Sequence, residues 1–328
     1  MKRTLNIPSI FTFIMIILIS LSCTKEKKIE KITLAEGMQP ICAPVYVADQ
    51  MGFFNELGLD VQLIPFSKGK LCLDAVLGGK ADLGTVAETP LMHIGFQKQP
   101  VSILATIHTS TQNTKCVARK DHGILNPSDI KGHNIGVPIG GNAEYFMDIF
   151  LNKYGLTRKN VNIVNLNPPE MVGAIVRGDI DVSFSWEPHI TRTVNQLGDK
   201  VIVFLGDDLY RETFNLVCLN EWAKSNQSTC EKVLKALIKA TTYIQENQNE
   251  SINIVANHIQ MDNEELASIW HYYTFKISLD KFLLDALNKQ AKWAIDNGIQ
   301  EGQIPDYCCL FYTLPLKKVA PKSVTINY

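Results

Sequence analysis

The chain has 328 residues, 46% hydrophobic and 20% charged, a globular composition that excludes a disordered or collagen-like protein. That length favours two domains, each large enough to bury its own core. A net charge of −1 at pH 7, with no basic stripe, speaks against nucleic-acid binding and puts a small-molecule role ahead.

At the amino terminus, Lys2 and Arg3 precede an apolar run over residues 10–19, which ends in Ser20-Leu21-Ser22-Cys23. A charged start, a short apolar core and a small residue before a cysteine predict a signal peptide over residues 1–22. The apolar run is about half the roughly 20 residues that a membrane span needs. Leu21-Ser22-Cys23 resembles the bacterial lipobox, in which the cysteine is lipidated and becomes the new first residue; Ser20 departs from the usual Leu. The alternative is an ordinary cleaved signal peptide. Lipidation at Cys23 would leave residues 23–31 as a polar, Lys-rich tether and 30 basic residues against 33 acidic ones, a net charge of −3.

From residue 32 short β-like runs alternate with Gly/Pro/Asn turns and helix-period segments, a pattern that argues for α/β architecture with mainly parallel sheets. The first series of runs covers residues 32–35, 60–65, 81–86, 101–107 and 115–119. The second covers 134–137, 161–165, 182–184 and 201–205, and one more run follows at 214–219. Residues 221–298 read as almost purely helical, with start signals at Ser228, at Asp262 with Glu265, and at Ser278. A block with no sheet of its own must pack on the first α/β half. The expected division is therefore lobe 1 over 32–120 and 214–328, lobe 2 over 121–213, and a two-strand hinge near 119–123 and 210–215. Residues 305–328, with Pro315 and Pro321, read as an irregular wrap.

Beyond Cys23 there are seven cysteines, at 42, 72, 116, 218, 230, 308 and 309. Their spacing fits no zinc or redox pattern, so they read as small apolar residues, with a disulfide left open. The seven histidines are scattered, and neither a metal nor a cofactor is assigned.

In open α/β sheets, ligands sit beyond the carboxyl ends of strands, against the amino ends of the following helices. The turns at those places supply the candidate ligand contacts: Gln39 and Pro40; Glu88 and Thr89, with Thr89 read as a cap and Pro90 as the first helical residue; His108; Gly140, Gly141 and Asn142; Trp186 and Glu187. Converging helix amino ends suit an anion such as sulfonate or nitrate. Glu88, Glu144 and Glu187 stand near the same ends. They either satisfy helix dipoles or accept hydrogen bonds from a cationic or N–H-bearing ligand. The same turn residues could equally serve only as caps.

Read in order, these segments resemble the solute-binding proteins of ABC importers for nitrate, sulfonate, taurine and related compounds. The resemblance rests on Pro44-Val45-Tyr46-Val47-Ala48, Gly52-Phe53-Phe54, Gly58-Leu59-Asp60-Val61, Gly79-Lys80-Ala81-Asp82-Leu83-Gly84 and Ala87-Glu88-Thr89-Pro90. It continues through Asp129-Ile130-Lys131-Gly132, Ile135-Gly136-Val137, Gly178-Asp179-Ile180-Asp181-Val182 and Trp186-Glu187-Pro188, with Pro315-Leu316-Lys317-Lys318 near the end. It implies the type II periplasmic-binding-protein fold, two lobes closing on a small ligand. It also implies delivery to a permease and its ATPase, an extracytoplasmic place at the cell membrane and a monomer without catalytic residues. One departure is Asn142 after Gly141, where such proteins often carry Thr. The alternatives are a binder of a thiamine-precursor pyrimidine, or a thiamine-pyrimidine synthase-like enzyme, which Cys308-Cys309-Leu310-Phe311 resembles superficially.

Overall fold

A computed structural model describes residues 29–206 and 209–326. The expected signal peptide, the lipidation site Cys23 and the tether as far as residue 28 lie outside the described residues. Among those described are eleven strands: β1 (Glu30–Gly37), β2 (Leu59–Phe66), β3 (Leu83–Ala87), β4 (Val101–Ser110), β5 (Thr114–Arg119), β6 (Asn134–Val137), β7 (Asn162–Asn165), β8 (Val182–Trp186), β9 (Val201–Phe204), β10 (Glu212–Leu219) and β11 (Thr274–Ser278). They form two sheets, ordered β11-β4-β10-β3-β1-β2 in lobe 1 and β7-β6-β8-β5-β9 in lobe 2.

The two-lobe α/β plan is the expected one, with four corrections. Both sheets are mixed rather than mainly parallel: β1 pairs in parallel with β2 and β3, and β6 with β7 and β8, but β10 and β5 run antiparallel to their neighbours. These are the strands at which the chain enters each lobe from the other, so no crossover helix turns them parallel. Next, β5 belongs to lobe 2, which moves the first crossing from 119–123 to residues 111–113; the second lies between the end of β9 at Phe204 and the start of β10 at Glu212. The helical block also contributes β11, which pairs with β4 at the edge of the lobe-1 sheet. At the other end, β1 begins at Glu30, inside the stretch read as tether.

Local signals place the helices. Pro44 lies in the first turn of the helix Ala43–Gln50, where its missing N–H costs nothing. Asn167 and Glu170 form a capping box on Pro168–Arg177, and Gly178, at φ 82°, ends it. The long helix Gln227–Glu246 packs on Ala43–Gln50, burying Val233, Leu234 and Leu237. The carboxyl-terminal wrap contains a short helix, Leu314–Val319, that lies on Gln227–Glu246. Its Tyr307 donates to the Met92 carbonyl at 2.9 Å and fills the space where a Cβ at Gly95 would come within 2.3 Å of the ring.

The two lobes touch at several points. Trp293 Nε1 donates to Asp148 at 2.9 Å, Lys115 Nζ sits 3.9 Å from the centre of the Tyr272 ring, Lys68 Nζ reaches Asn167 Oδ1 at 3.0 Å, and Asn195 donates to Glu265. The cleft between the lobes is therefore closed.

Candidate functional site

The strand ends of both sheets meet at this cleft. The turn after β1 brings Gln39, that after β2 brings Lys68 and Gly69, and that after β3 brings Ala87 and Pro90. From lobe 2 come residues 138–142, after β6, and Trp186, at the end of β8. Phe214 of β10 closes the floor. Together they line a cavity of ≈ 30 Å³, room for a compact polar group and little more. Gly69 allows a close approach here: a Cβ would lie 3.0 Å from the Val86 Cα and 3.1 Å from the Phe214 ring. Gly140, at φ 82°, takes a left-handed turn that glycine adopts without strain.

Of the ten expected contacts, Gln39, Gly140, Gly141, Asn142 and Trp186 line the cavity. Trp186 is 4% exposed and its Nε1 has no partner among the described residues. Thr89 is fully buried between the lining residues Ala87 and Pro90, and its Oγ1 is likewise unpartnered. Thr89 does not cap its helix. Ala87 holds that position, and the helix runs Glu88–Gln97. Pro40 opens the 3-10 turn Pro40–Cys42 and is not in the lining.

The structure takes the acids away from the cleft. Glu88 accepts from Tyr210, from the Thr213 N–H at 2.9 Å and hydroxyl at 3.0 Å, and from Gln290 Nε2 at 2.9 Å. Burial raises its pKa, against the pull of the Tyr210 hydrogen bond. Glu187 accepts from Lys115 Nζ at 2.8 Å and from the Thr191 N–H and hydroxyl, each at 2.9 Å. Glu144 binds the Gly140 N–H and Arg158, both at 2.7 Å. Each carboxylate is spent inside the protein, and the cavity lining contains neither Asp nor Glu.

His108 belongs to a different network. Its ring is fully buried against Tyr273 and Phe275, and burial lowers its pKa. Nε2 lies 3.8 Å from Glu212 Oε1. Glu212 itself accepts from Asn113 Nδ2 and Thr114 Oγ1, both at 2.6 Å, and from Asn142 Nδ2 at 3.0 Å. This network ties the first residue of β10 to the first crossing and to the lobe-2 turn, so Asn142 joins the hinge to the cavity.

Sequence reasoning missed Lys68 and Phe214. Lys68 follows a β-run, in the position that singled out the other turns. Phe214 carries no local signal, since only the pairing of β10 with β3 aims it at the cleft. Lys68 and Lys70 are the two cations of the lining; Lys70 pairs with Asp74, whereas among the described residues Lys68 meets only the neutral Asn167 amide. Cys308 and Cys309 lie on the 3-10 turn Tyr307–Leu310, away from the lining. Cys42, Cys72, Cys116, Cys218 and Cys230 are buried free thiols.

The profile of the NMT1/THI5-like family matches residues 39–251. A putative binding protein of Brucella abortus is 22% identical over 223 residues, 67% of this chain and 68% of its own. The taurine-binding periplasmic protein of Escherichia coli K12 is 29% identical over 159 residues, 48% of this chain and 49% of its own. Among solved structures, the alkanesulfonate-binding protein SsuA of Xanthomonas axonopodis pv. citri, bound to MOPS, superposes with a TM-score of 0.76 at 14% identity, covering 86% of this chain and 98% of that one. By its match to the family profile and by its two-lobed periplasmic-binding-protein architecture, the chain belongs to the NMT1/THI5-like family.

Proposed function

We propose that this chain is the solute receptor of an ABC importer, held outside the cytoplasm by a lipid on Cys23, and that its lobes close on a small oxyanion of the sulfonate or nitrate type. The observation that carries the reading is a cavity lined by Lys68, Gln39, Trp186 and Asn142 and free of carboxylates. Lys68 supplies the charge, and Trp186 Nε1 is a buried polar atom of a lining residue still lacking a partner, which favours occupation by an acceptor-rich group. Taurine's ammonium, or the amino group of a pyrimidine, would find no carboxylate there, so a plain sulfonate fits better. The lining pairs no nucleophile with a base, which supports capture without chemistry; a permease and its ATPase would be the partners.

Isothermal calorimetry with ethanesulfonate, nitrate and taurine tests this. Ethanesulfonate is expected to bind, and Lys68→Gln to weaken it ten- to hundredfold, the worth of one charged hydrogen bond at about 1.5–3 kcal/mol. Failure of all three to bind the wild-type protein rejects the reading.

A further inference from the structure

The cleft does not end at the inner cavity. A second compartment of ≈ 340 Å³ lies beside it, lined by Met38, Phe66 and Ser67 from lobe 1 and by Pro188, His189 and Arg192 from lobe 2, among others. The two compartments share their turns: Met38 adjoins Gln39, Ser67 adjoins Lys68, and Pro188 is two residues beyond Trp186. One or two residues of chain put their linings roughly 4–7 Å apart. The two linings are therefore near neighbours.

The outer compartment has its own chemistry. Arg192 has no carboxylate within salt-bridge reach among the described residues, because Glu187, the acid nearest in sequence, is spent on Lys115 and Thr191. His189 is 7% exposed and its Nδ1 has no hydrogen-bond partner among the described residues. Burial, and then the Arg192 charge, hold its ring neutral, with a pKa of about 4, so one ring nitrogen carries a proton to donate and the local charge is that of Arg192. Met38 and Phe66 add apolar surface to the same lining.

We infer that the site is bipartite and selects an elongated dianion: one oxyanion group in the inner cavity with Lys68, Gln39 and Trp186, a short carbon spacer against Met38 and Phe66, and a second acidic group on Arg192 and His189. This rests on the cleft being the oxyanion site proposed above. An uncompensated cation next to a neutral ring recognises a second anion and discriminates against a ligand that ends in an alkyl group.

The test compares propanesulfonate with propanedisulfonate by calorimetry on the full chain at one ionic strength. The wild-type protein is expected to prefer the disulfonate by tenfold or more. Arg192→Gln, checked for an unchanged melting temperature, should collapse that ratio towards one. Lys68→Gln should weaken both ligands and keep the ratio. Equal affinities in the wild-type protein, or a preference that survives Arg192→Gln, overturn the bipartite site while leaving the oxyanion reading standing. If neither sulfonate binds, both readings fall together.

Discussion

Replacing Glu187 by Gln separates a structural carboxylate from a ligand-binding one. Glu187 and Lys115 are 1% and 4% exposed at their side chains and 2.8 Å apart, and the Tyr272 ring covers the ammonium. Gln keeps the shape and an acceptor for the Thr191 N–H, but it leaves the Lys115 charge buried without a counter-ion. Breaking a buried pair from one side costs about 3–5 kcal/mol. With an unfolding entropy of about 2.1 cal/mol/K per residue over roughly 300 residues, that loss lowers the melting temperature by about 5–8 °C, and by more if lobe 2 unfolds on its own. Differential scanning calorimetry and ligand titration on the same preparation provide the check. The expected result is a lower melting temperature with the ethanesulfonate Kd changed less than threefold. A large loss of affinity at an unchanged melting temperature would mean that the carboxylate faces the ligand, and would refute the placement argued here.

Three further outcomes are expected. Burial, then the nearby Arg192, depresses the pKa of His189 from 6.5 to about 4, so the unfolded chain takes up this proton first. The associated stability, about 3 kcal/mol, is complete above pH 6.5 and lost as pH falls towards 4; His189→Gln should flatten the fall in melting temperature across that window, and an identical fall excludes the role. Cys23→Ala should abolish incorporation of labelled palmitate in cells, whereas persisting label would place the lipid elsewhere. Small-angle scattering of the protein saturated with ethanesulfonate should match the closed arrangement described above and the ligand-free sample should be more extended, whereas superimposable profiles would count against ligand-driven closure.

What the sequence determined by itself is the part that depends on near neighbours. Pro44, the Asn167–Glu170 box and Gly178 act within one helical turn, and their helices begin or end where those residues require. The β-runs were legible for the same reason, as were the turns at the ends of β1, β3, β6 and β8, and with them the general position of the cleft. The partners of each run were not. Residues 115–119 read correctly as a strand, but nothing within them says that β8 and β9, rather than a lobe-1 strand, will accept their hydrogen bonds. The five-residue edge strand β11 was hidden in a block of helical period, since an edge strand has a neighbour on one side alone and its pattern is weak.

The orientation of the acids was decided by the tertiary structure. Glu88 is held by Thr213 and Gln290, 125 and 202 residues away, and Glu187 by Lys115, 72 residues away. A carboxylate at a helix amino end can face a ligand or turn into the protein, and its position in the turn is the same in both cases. Only when distant donors arrive does the lower-energy direction emerge, because a buried charge settles where its hydrogen bonds are satisfied. That choice leaves the cavity lining without Asp or Glu.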